Sequence, residues 1–203
     1  NNVVRVASRL QQAHINAIAL TRLVMKSLPQ DDALKVKGKP IIDGKEVYYL
    51  GISNGAIQGS GFMALSPDVK KGILNVGGGP WSLMMSRSGN FTVLYTAMKV
   101  FYKRPVERQL LIAMSQFGFD VVDPMTFAPY IVKSPDRFKV PAKQLIIQES
   151  IGDAQVPNIS TRMWARTFGI PALNTLFEPV FGLTLKDGPL DGSAYSQFGP
   201  RPE

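Results

Sequence analysis

A serine framed by glycines stands in the segment Gly51-Ile52-Ser53-Asn54-Gly55. The apolar run from Val47 to Leu50 predicts a strand before it, and the small residues after it predict a helix. In that context the Gly-x-Ser-x-Gly pattern is typical of a sharp turn that exposes a nucleophilic hydroxyl, with glycines where the backbone closes up. The alternative is a structural serine in a glycine-rich turn. The context favours Ser53 as a nucleophile, with the N–H of Asn54 helping to stabilise an oxyanion.

With this elbow, which includes Gly51 and Gly55, the chain resembles the α/β-hydrolase family of serine esterases and lipases. The resemblance continues where a predicted strand, Leu145 to Gln148, leads into Gly152-Asp153 and then Val156-Pro157 before a helix. It implies that Asp153 is the acid of a catalytic triad, because the acid follows the serine in chain order. Three other carboxylates are rivals for this role: Glu149, Asp120 and Asp123.

The family's third catalytic residue, a histidine after the acid, has no counterpart in this chain. The one histidine, His14, precedes the serine and lies in a predicted amphipathic helix from Val3 to Leu28. A helical histidine among Gln and Asn is more often a surface or packing residue than a base. We therefore expect the base to lie outside this chain. The chain would then be only part of the fold, with the remaining segments of the same protein as its partners, and inactive alone.

Predicted strands alternate with predicted helices, which indicates an α/β fold with a mainly parallel sheet and flanking helices. A turn at Asp43-Gly44 predicts a hairpin before the elbow, and the run from Lys70 to Gly78 predicts the next strand. A helix after Pro157 is expected to stop at Gly169. The run from Ala172 to Leu185 predicts a last strand or hairpin, and the glycine- and proline-rich end predicts a loop.

The stretch between Gly79 and Gln144 is longer than one crossover helix requires, which predicts an insertion. In the family that the chain resembles, this position commonly holds a helical cap, which implies a core from residues 1–80 and 140–203 and a helical cap or lid from residues 81–139. The cap sequence is rich in aromatic residues and methionines, which would suit an adaptable apolar wall for acyl chains. The methionines are Met84, Met85, Met98, Met114 and Met125.

These features predict a serine hydrolase that cleaves carboxylic esters, with a small-molecule ester or lipid as substrate. The fold does not fix the substrate, so a peptidase or another acyl-transfer enzyme is an alternative. A non-catalytic binding protein that retains the elbow is a second alternative. A secreted or cell-envelope location would fit a lipid-directed esterase, although no residue specifies a compartment.

The composition, 45% hydrophobic and 19% charged over 203 residues, is that of a globular protein. The absence of cysteine excludes disulfides and Cys-based metal sites. The segment Gly77-Gly78-Gly79-Pro80 lacks the Lys and Ser/Thr of a phosphate loop, so we interpret it as a flexible strand end near the site and expect no cofactor or metal. The net charge of +8 is spread along the chain, and no nucleic-acid partner is expected.

Overall fold

The structure is a computed structural model that describes residues 2–199. The strands are β1 Lys35–Val36, β2 Lys39–Pro40, β3 Tyr49–Ile52, β4 Lys71–Asn75, β5 Gln144–Ser150, β6 Ala172–Leu173, β7 Leu185–Lys186 and β8 Ala194–Phe198. The α-helices are α1 Asn2–Arg22, α2 Asn54–Leu65, α3 Trp81–Met85, α4 Thr92–Phe101, α5 Pro105–Phe119, α6 Pro124–Phe127 and α7 Asn158–Phe168. The ends of the predicted core, Asn1 and residues 200–203, lie outside the described residues.

Six strands form one sheet in the order β3-β4-β5-β8-β6-β7, and every neighbouring pair is parallel. The predicted α/β architecture with a mainly parallel sheet is therefore confirmed. The carboxyl ends of parallel strands share one edge of a sheet, so the turns after β3, β4 and β5 lie side by side. This edge holds the predicted site.

One face of the sheet is covered by helices. The strands turn four completely buried side chains toward this face: Leu74, Leu145, Ile147 and Tyr195. They alternate with less buried residues and belong to the main hydrophobic core. They share that core with Trp164 and its neighbours on α7, and with apolar side chains of α2 and α6. Burial of this face is the main source of stability for the sheet.

The hairpin predicted at Asp43-Gly44 is wrong. The only hairpin turn that the structure describes before the elbow lies at Lys37-Gly38, where β1 and β2 pair antiparallel. Gly44 has a φ of +67°, and a Cβ there would lie 2.4 Å from the carbonyl oxygen of Met25. The Asp43-Gly44 turn therefore packs a loop against the helical segment after α1, and β3 begins only at Tyr49.

The end of the chain also differs from the prediction. The segment from Gly192 onward was expected to end in a loop, but it contains β8, which lies in the interior of the sheet between β5 and β6. The run from Ala172 to Leu185 was expected to form a last strand or a hairpin. It contains β6 and the first residue of β7, which pair in parallel, and neither is the last strand. Two-residue strands carry too little alternation to be recognised from sequence, and their pairing is set by long-range contacts.

The helices of the predicted cap belong to two different packing groups. Met85, Ile112 and Phe119 form a small cluster with Ala7 of α1. By contrast, Phe127 and the residues just after it lie in the main core. The division at residues 81 and 139 stays a prediction.

Among residues 2–199, no helix combines the length and the apolar character needed to cross a bilayer.

A buried polar network joins β5, β8 and α7. The Glu149 carboxylate is completely buried and accepts hydrogen bonds from Tyr195 Oη and Arg162 Nε, the latter at 2.9 Å. Arg162 also contacts Glu178 on the protein surface. Burial raises the pKa of Glu149, against the opposing effect of the Arg162 and Tyr195 hydrogen bonds. The network fixes α7 to the sheet.

We predict that Arg162→Met lowers the free energy of unfolding by about 3 kcal/mol at pH 7, because a buried carboxylate loses its cationic partner. The loss should shrink as the pH falls and Glu149 takes up a proton. Arg166→Met on the same helix is the control, because Arg166 stacks over Phe181 and should cost less than about 1 kcal/mol. Urea denaturation measures both, and equal losses would contradict the assignment.

Candidate active site

Ser53 occupies a sharp turn between β3 and α2. Its backbone has a φ of 53° and a ψ of −118°, a conformation that non-glycine residues rarely adopt. The N–H of Ser53 donates to the carbonyl oxygen of Asn75 at 2.9 Å, which extends the pairing of β3 with β4 by one residue. The predicted strand–turn–helix arrangement is therefore confirmed. Asn54 is the first residue of α2, where N–H groups lack intrahelical acceptors and can bind an anion.

The elbow depends on Gly51 for steric reasons. A Cβ at Gly51 would lie 2.5 Å from the carbonyl oxygen of Gly55 and 2.8 Å from the N of Ala56, so the strand and the first turn of α2 touch through their backbones. A Cβ at Gly55 would meet open space. A side chain at position 51 would therefore collide with α2, whereas one at position 55 would meet no neighbour.

Ser53 opens onto a small, mainly apolar pocket of about 170 Å³. The side chains around it come from α2, from α3 and the turn after it, and from the loop before α7. The lining residues are Ser53, Asn54, Ile57, Trp81, Met84, Ser88, Asn90, Phe91, Gln155 and Val156. Trp81 Nε1 is buried and has no hydrogen-bond partner among residues 2–199. Apart from Ser53, Asn54 and Met84, the sequence analysis did not identify these residues as part of the site.

Asp153 lies in the turn that follows β5. Its Oδ1 accepts hydrogen bonds from the N–H groups of Gln155 at 2.7 Å and Val156 at 2.9 Å, while Oδ2 has no partner among the described residues. Gln155 and Val156 both line the Ser53 pocket. The structure therefore brings the Asp153 turn to the same pocket as Ser53. No hydrogen bond within residues 2–199 joins the two side chains.

The rival carboxylates are engaged elsewhere. Glu149 belongs to the buried network on the covered face of the sheet. Asp123 is completely buried and accepts from the N–H groups of Trp81 and Met125, each at 2.8 Å. Burial raises the pKa of Asp123, and these hydrogen bonds oppose that effect. Asp120 is exposed at the end of α5. Among these candidates, Asp153 is the one whose turn borders the pocket.

His14 is buried in the interface between α1 and α2. Its ring packs against Gly61, where a Cβ would lie 2.3 Å from the imidazole Cε1, and edge-on to Phe127. Gly61 follows Ser53 by eight residues in α2, about 12 Å along the helix axis. His14 Nε2 has no hydrogen-bond partner within the described part of the chain. These contacts agree with the expectation that His14 is a packing residue.

The glycine run after β4 is not the flexible strand end that was expected. Gly77, Gly78 and Gly79 are buried, and a Cβ at each would collide with a neighbouring helix: 2.6 Å from Ala56 Cβ, 2.4 Å from Ser160 Oγ and 2.8 Å from Pro124 Cγ, respectively. The run is glycine-rich because α2, α6 and α7 converge on it.

Within residues 2–199, no cluster of His, Asp and Glu side chains could hold a metal ion.

The methionines of the predicted cap are dispersed. Met84 lines the Ser53 pocket, whereas Met85 and Met98 belong to the cluster around α5. Met125 packs against the main core, and Met114 is exposed. Of the predicted acyl-chain wall, the structure therefore places Met84 beside the candidate nucleophile.

No protein-family model and no curated protein sequence matches the chain. Solved structures do resemble it. Acetyl xylan esterase 1 from Thermoanaerobacterium sp. JW/SL YS485 aligns with a TM-score of 0.51 at 14% identity, over 94% of this chain and 47% of that one. The acylaminoacyl peptidase of Pyrococcus horikoshii aligns with a TM-score of 0.45 at 16% identity, over 76% of this chain and 19% of that one.

The chain thus spans less than half the length of these two structures. At such identities the likeness concerns the fold alone. Together with the parallel sheet and the elbow, it shows that residues 2–199 form part of an α/β-hydrolase fold.

We predict that Gly51→Ala lowers the free energy of unfolding by about 2 kcal/mol or more, because the new methyl group cannot avoid the Gly55 carbonyl without moving α2. Gly55→Ala is the matched control. It adds the same methyl group within a helix and into open space, so it should be neutral or stabilising by up to about 1 kcal/mol. Urea denaturation of both variants tests this, and a harmless Gly51→Ala would show that the turn does not need a glycine there.

A second prediction concerns pH. Burial lowers the pKa of His14, and contacts with Gln58 oppose this effect. The unfolded chain therefore binds a proton more readily than the folded one near and below pH 6.5. Stability should be highest above that pH and should fall as the pH decreases, with a slope of at most about 1.4 kcal/mol per pH unit. His14→Gln should remove this component, as the difference between the two unfolding curves at pH 7.5 and 5.5 will show.

Proposed function

We propose that this chain carries the nucleophile and the acid of a serine hydrolase that cleaves carboxylic esters. The observation that carries the proposal is the strained backbone of Ser53 between β3 and α2, beside an apolar pocket that the Asp153 turn also borders. A residue persists in such a conformation only when its surroundings impose it, and such residues cluster at active sites. The similarity to a solved esterase supports the fold in which this elbow acts as a nucleophile.

In the proposed reaction, Ser53 Oγ attacks the carbonyl carbon of the ester while a histidine takes its proton. The N–H of Asn54 donates to the oxyanion that forms. When the C–O bond breaks, the histidine returns the proton to the leaving alcohol, and the acyl group remains on Ser53. A water molecule then attacks the acyl carbon, gives a proton to the histidine, and releases the acid with Ser53 restored.

Asp153 would orient this histidine. One of its oxygens is held by the two backbone N–H groups of its own turn, which fixes the carboxylate. The other oxygen is free, within the described residues, to accept a hydrogen bond from an imidazole. The absence of a hydrogen bond between the Ser53 and Asp153 side chains agrees with a triad, because the histidine would lie between the two.

We further propose that the histidine belongs to a segment of the same protein outside residues 1–203. The second face of the sheet supports this proposal. Leu50, Ile73 and Ile146 lie in one row across β3, β4 and β5 and line an open groove of about 370 Å³. Parallel sheets are normally covered on both faces, so further polypeptide would complete the sheet as well as the triad.

The pocket favours esters with small apolar acyl groups. A cavity of about 150 Å³ lined by apolar side chains holds a benzene molecule, and the pocket beside Ser53 has about 170 Å³. A peptidase of the same fold would use the same nucleophile and acid. The two are separated by their turnover of matched esters and anilides, since an esterase should cleave the ester of a given acyl group much faster.

The test is covalent labelling of the full-length natural protein with a fluorophosphonate, followed by peptide mass spectrometry. We expect label on Ser53, loss of label in Ser53→Ala, and labelling slowed at least about 10³-fold in Asp153→Asn, because the histidine loses its orienting partner. Ser88→Ala is the matched control, because Ser88 lines the same pocket away from the elbow. Folded, unlabelled wild-type protein would favour a binding protein that retains the elbow.

A further inference from the structure

An apolar stripe faces solvent along α5. It consists of four apolar residues at helical spacing: Val106, Leu110, Met114 and Phe117. Each is more than half exposed, and Phe117 is 79% exposed. The opposite side of the helix carries Ile112 and Phe119, which are buried in the small hydrophobic cluster. The stripe is therefore a second apolar face that is not the core face. Exposed apolar surface of this kind marks an interaction site.

The neighbouring helix α4 extends this surface. None of its residues is buried, and Val93 and Phe101 are 84% and 80% exposed. Between α4 and the body lies an apolar cleft of about 560 Å³, lined in part by Leu94 and Met98. The helix packs Tyr95 and Met98 against the small hydrophobic cluster and leaves Val93, Val100 and Phe101 exposed on its other side.

The same two helices are basic. Between residues 92 and 119 the cations are Lys99, Lys103, Arg104 and Arg108, and the one anion is Glu107, which gives four minus one, or +3. Glu107 lies 3.6 Å from Arg104, so its charge is already paired. Arg108 Nη1 donates to the carbonyl oxygens of Tyr102 at 2.6 Å and Lys103 at 2.8 Å, which holds the turn between the helices. Lys99 and Lys103 are exposed, and Lys99 Nζ lies 5.0 Å from the centre of the Tyr95 ring.

We propose that the α4–α5 hairpin binds the surface of an anionic phospholipid bilayer. Exposed Phe and Val beside Lys and Arg form the combination by which amphipathic helices lie in a membrane interface, with apolar side chains among the acyl chains and cations at the phosphates. Phe101 and Phe117 are the proposed apolar anchors, and Lys99 and Lys103 the phosphate contacts. The segment that leads into α4 includes Phe91, which lines the Ser53 pocket, so docking would bring that pocket close to the lipid.

A bilayer fits this surface better than a second copy of the chain. In a two-fold dimer the same patch meets itself, which would bring two net-positive hairpins together. A bilayer containing anionic lipid supplies the complementary charge and accepts an irregular apolar surface without requiring shape complementarity. The proposal does not depend on the activity of Ser53.

Sedimentation of the 203-residue chain with large unilamellar vesicles tests this inference. We expect binding to phosphatidylcholine vesicles that contain about 30% phosphatidylglycerol, weak binding to pure phosphatidylcholine, and weaker binding at high salt. Lys99→Gln with Lys103→Gln should reduce the partition coefficient about 25-fold. Phe101→Ser with Phe117→Ser should reduce it at least about tenfold. Both pairs are exposed, so circular dichroism should show unchanged folding.

The open face of the sheet supplies the matched control. Leu50→Ser with Ile52→Ser removes exposed apolar side chains from β3 and should leave vesicle binding unchanged, as should Ser53→Ala. Phe101→Trp should show a blue-shifted emission with anionic vesicles and quenching by brominated lipid. Loss of binding in the β3 variant but not in the Phe variant would overturn the proposal. So would a chain that dimerises through the hairpin, as seen in sedimentation velocity, and does not bind vesicles.

Discussion

The close approach of α2 to β3 is the constraint on which the site depends. Without a side chain at Gly51, the first turn of the helix can touch the strand, and the chain reverses over a single residue. That residue, Ser53, must then adopt a conformation that most residues avoid. Because the turns after β4 and β5 end at the same edge of the parallel sheet, the glycine run and the Asp153 turn are brought to the same place.

Two carboxylates near the end of β5 show how position decides role. Glu149 points to the covered face of the sheet. There its carboxylate accepts hydrogen bonds from Arg162 and Tyr195, which fix α7 to the sheet. Asp153 lies beyond the strand, in a turn held by its own backbone hydrogen bonds and by the amide of Asn158, which bridges Ser150 and Gly152. The first carboxylate holds α7 on the sheet, and the turn that contains the second borders the Ser53 pocket through Gln155 and Val156.

The sequence predicted what local patterns encode. The elbow, the buried strands β4 and β5, and the stop of α7 at Gly169, which has a φ of +64°, all have signals within a few residues. The β1–β2 hairpin, the last strands and the conformation of the glycine run have no such local signal, because distant contacts determine them. Gly77, for example, is required by Ala56 and Trp164, and no pattern near it announces that contact. The pocket lining was missed for the same reason.

The proposed histidine and the uncovered sheet face lead to the same physical requirement. Ser53 without a base is a weak nucleophile. An apolar row on a parallel sheet is normally buried rather than left in water. The row at Leu50, Ile73 and Ile146 starts on β3, the edge strand that also carries the elbow, so a segment that covers it would lie next to the Ser53 turn. One added segment could therefore stabilise the sheet and activate the serine, which would couple completion of the fold to the appearance of activity.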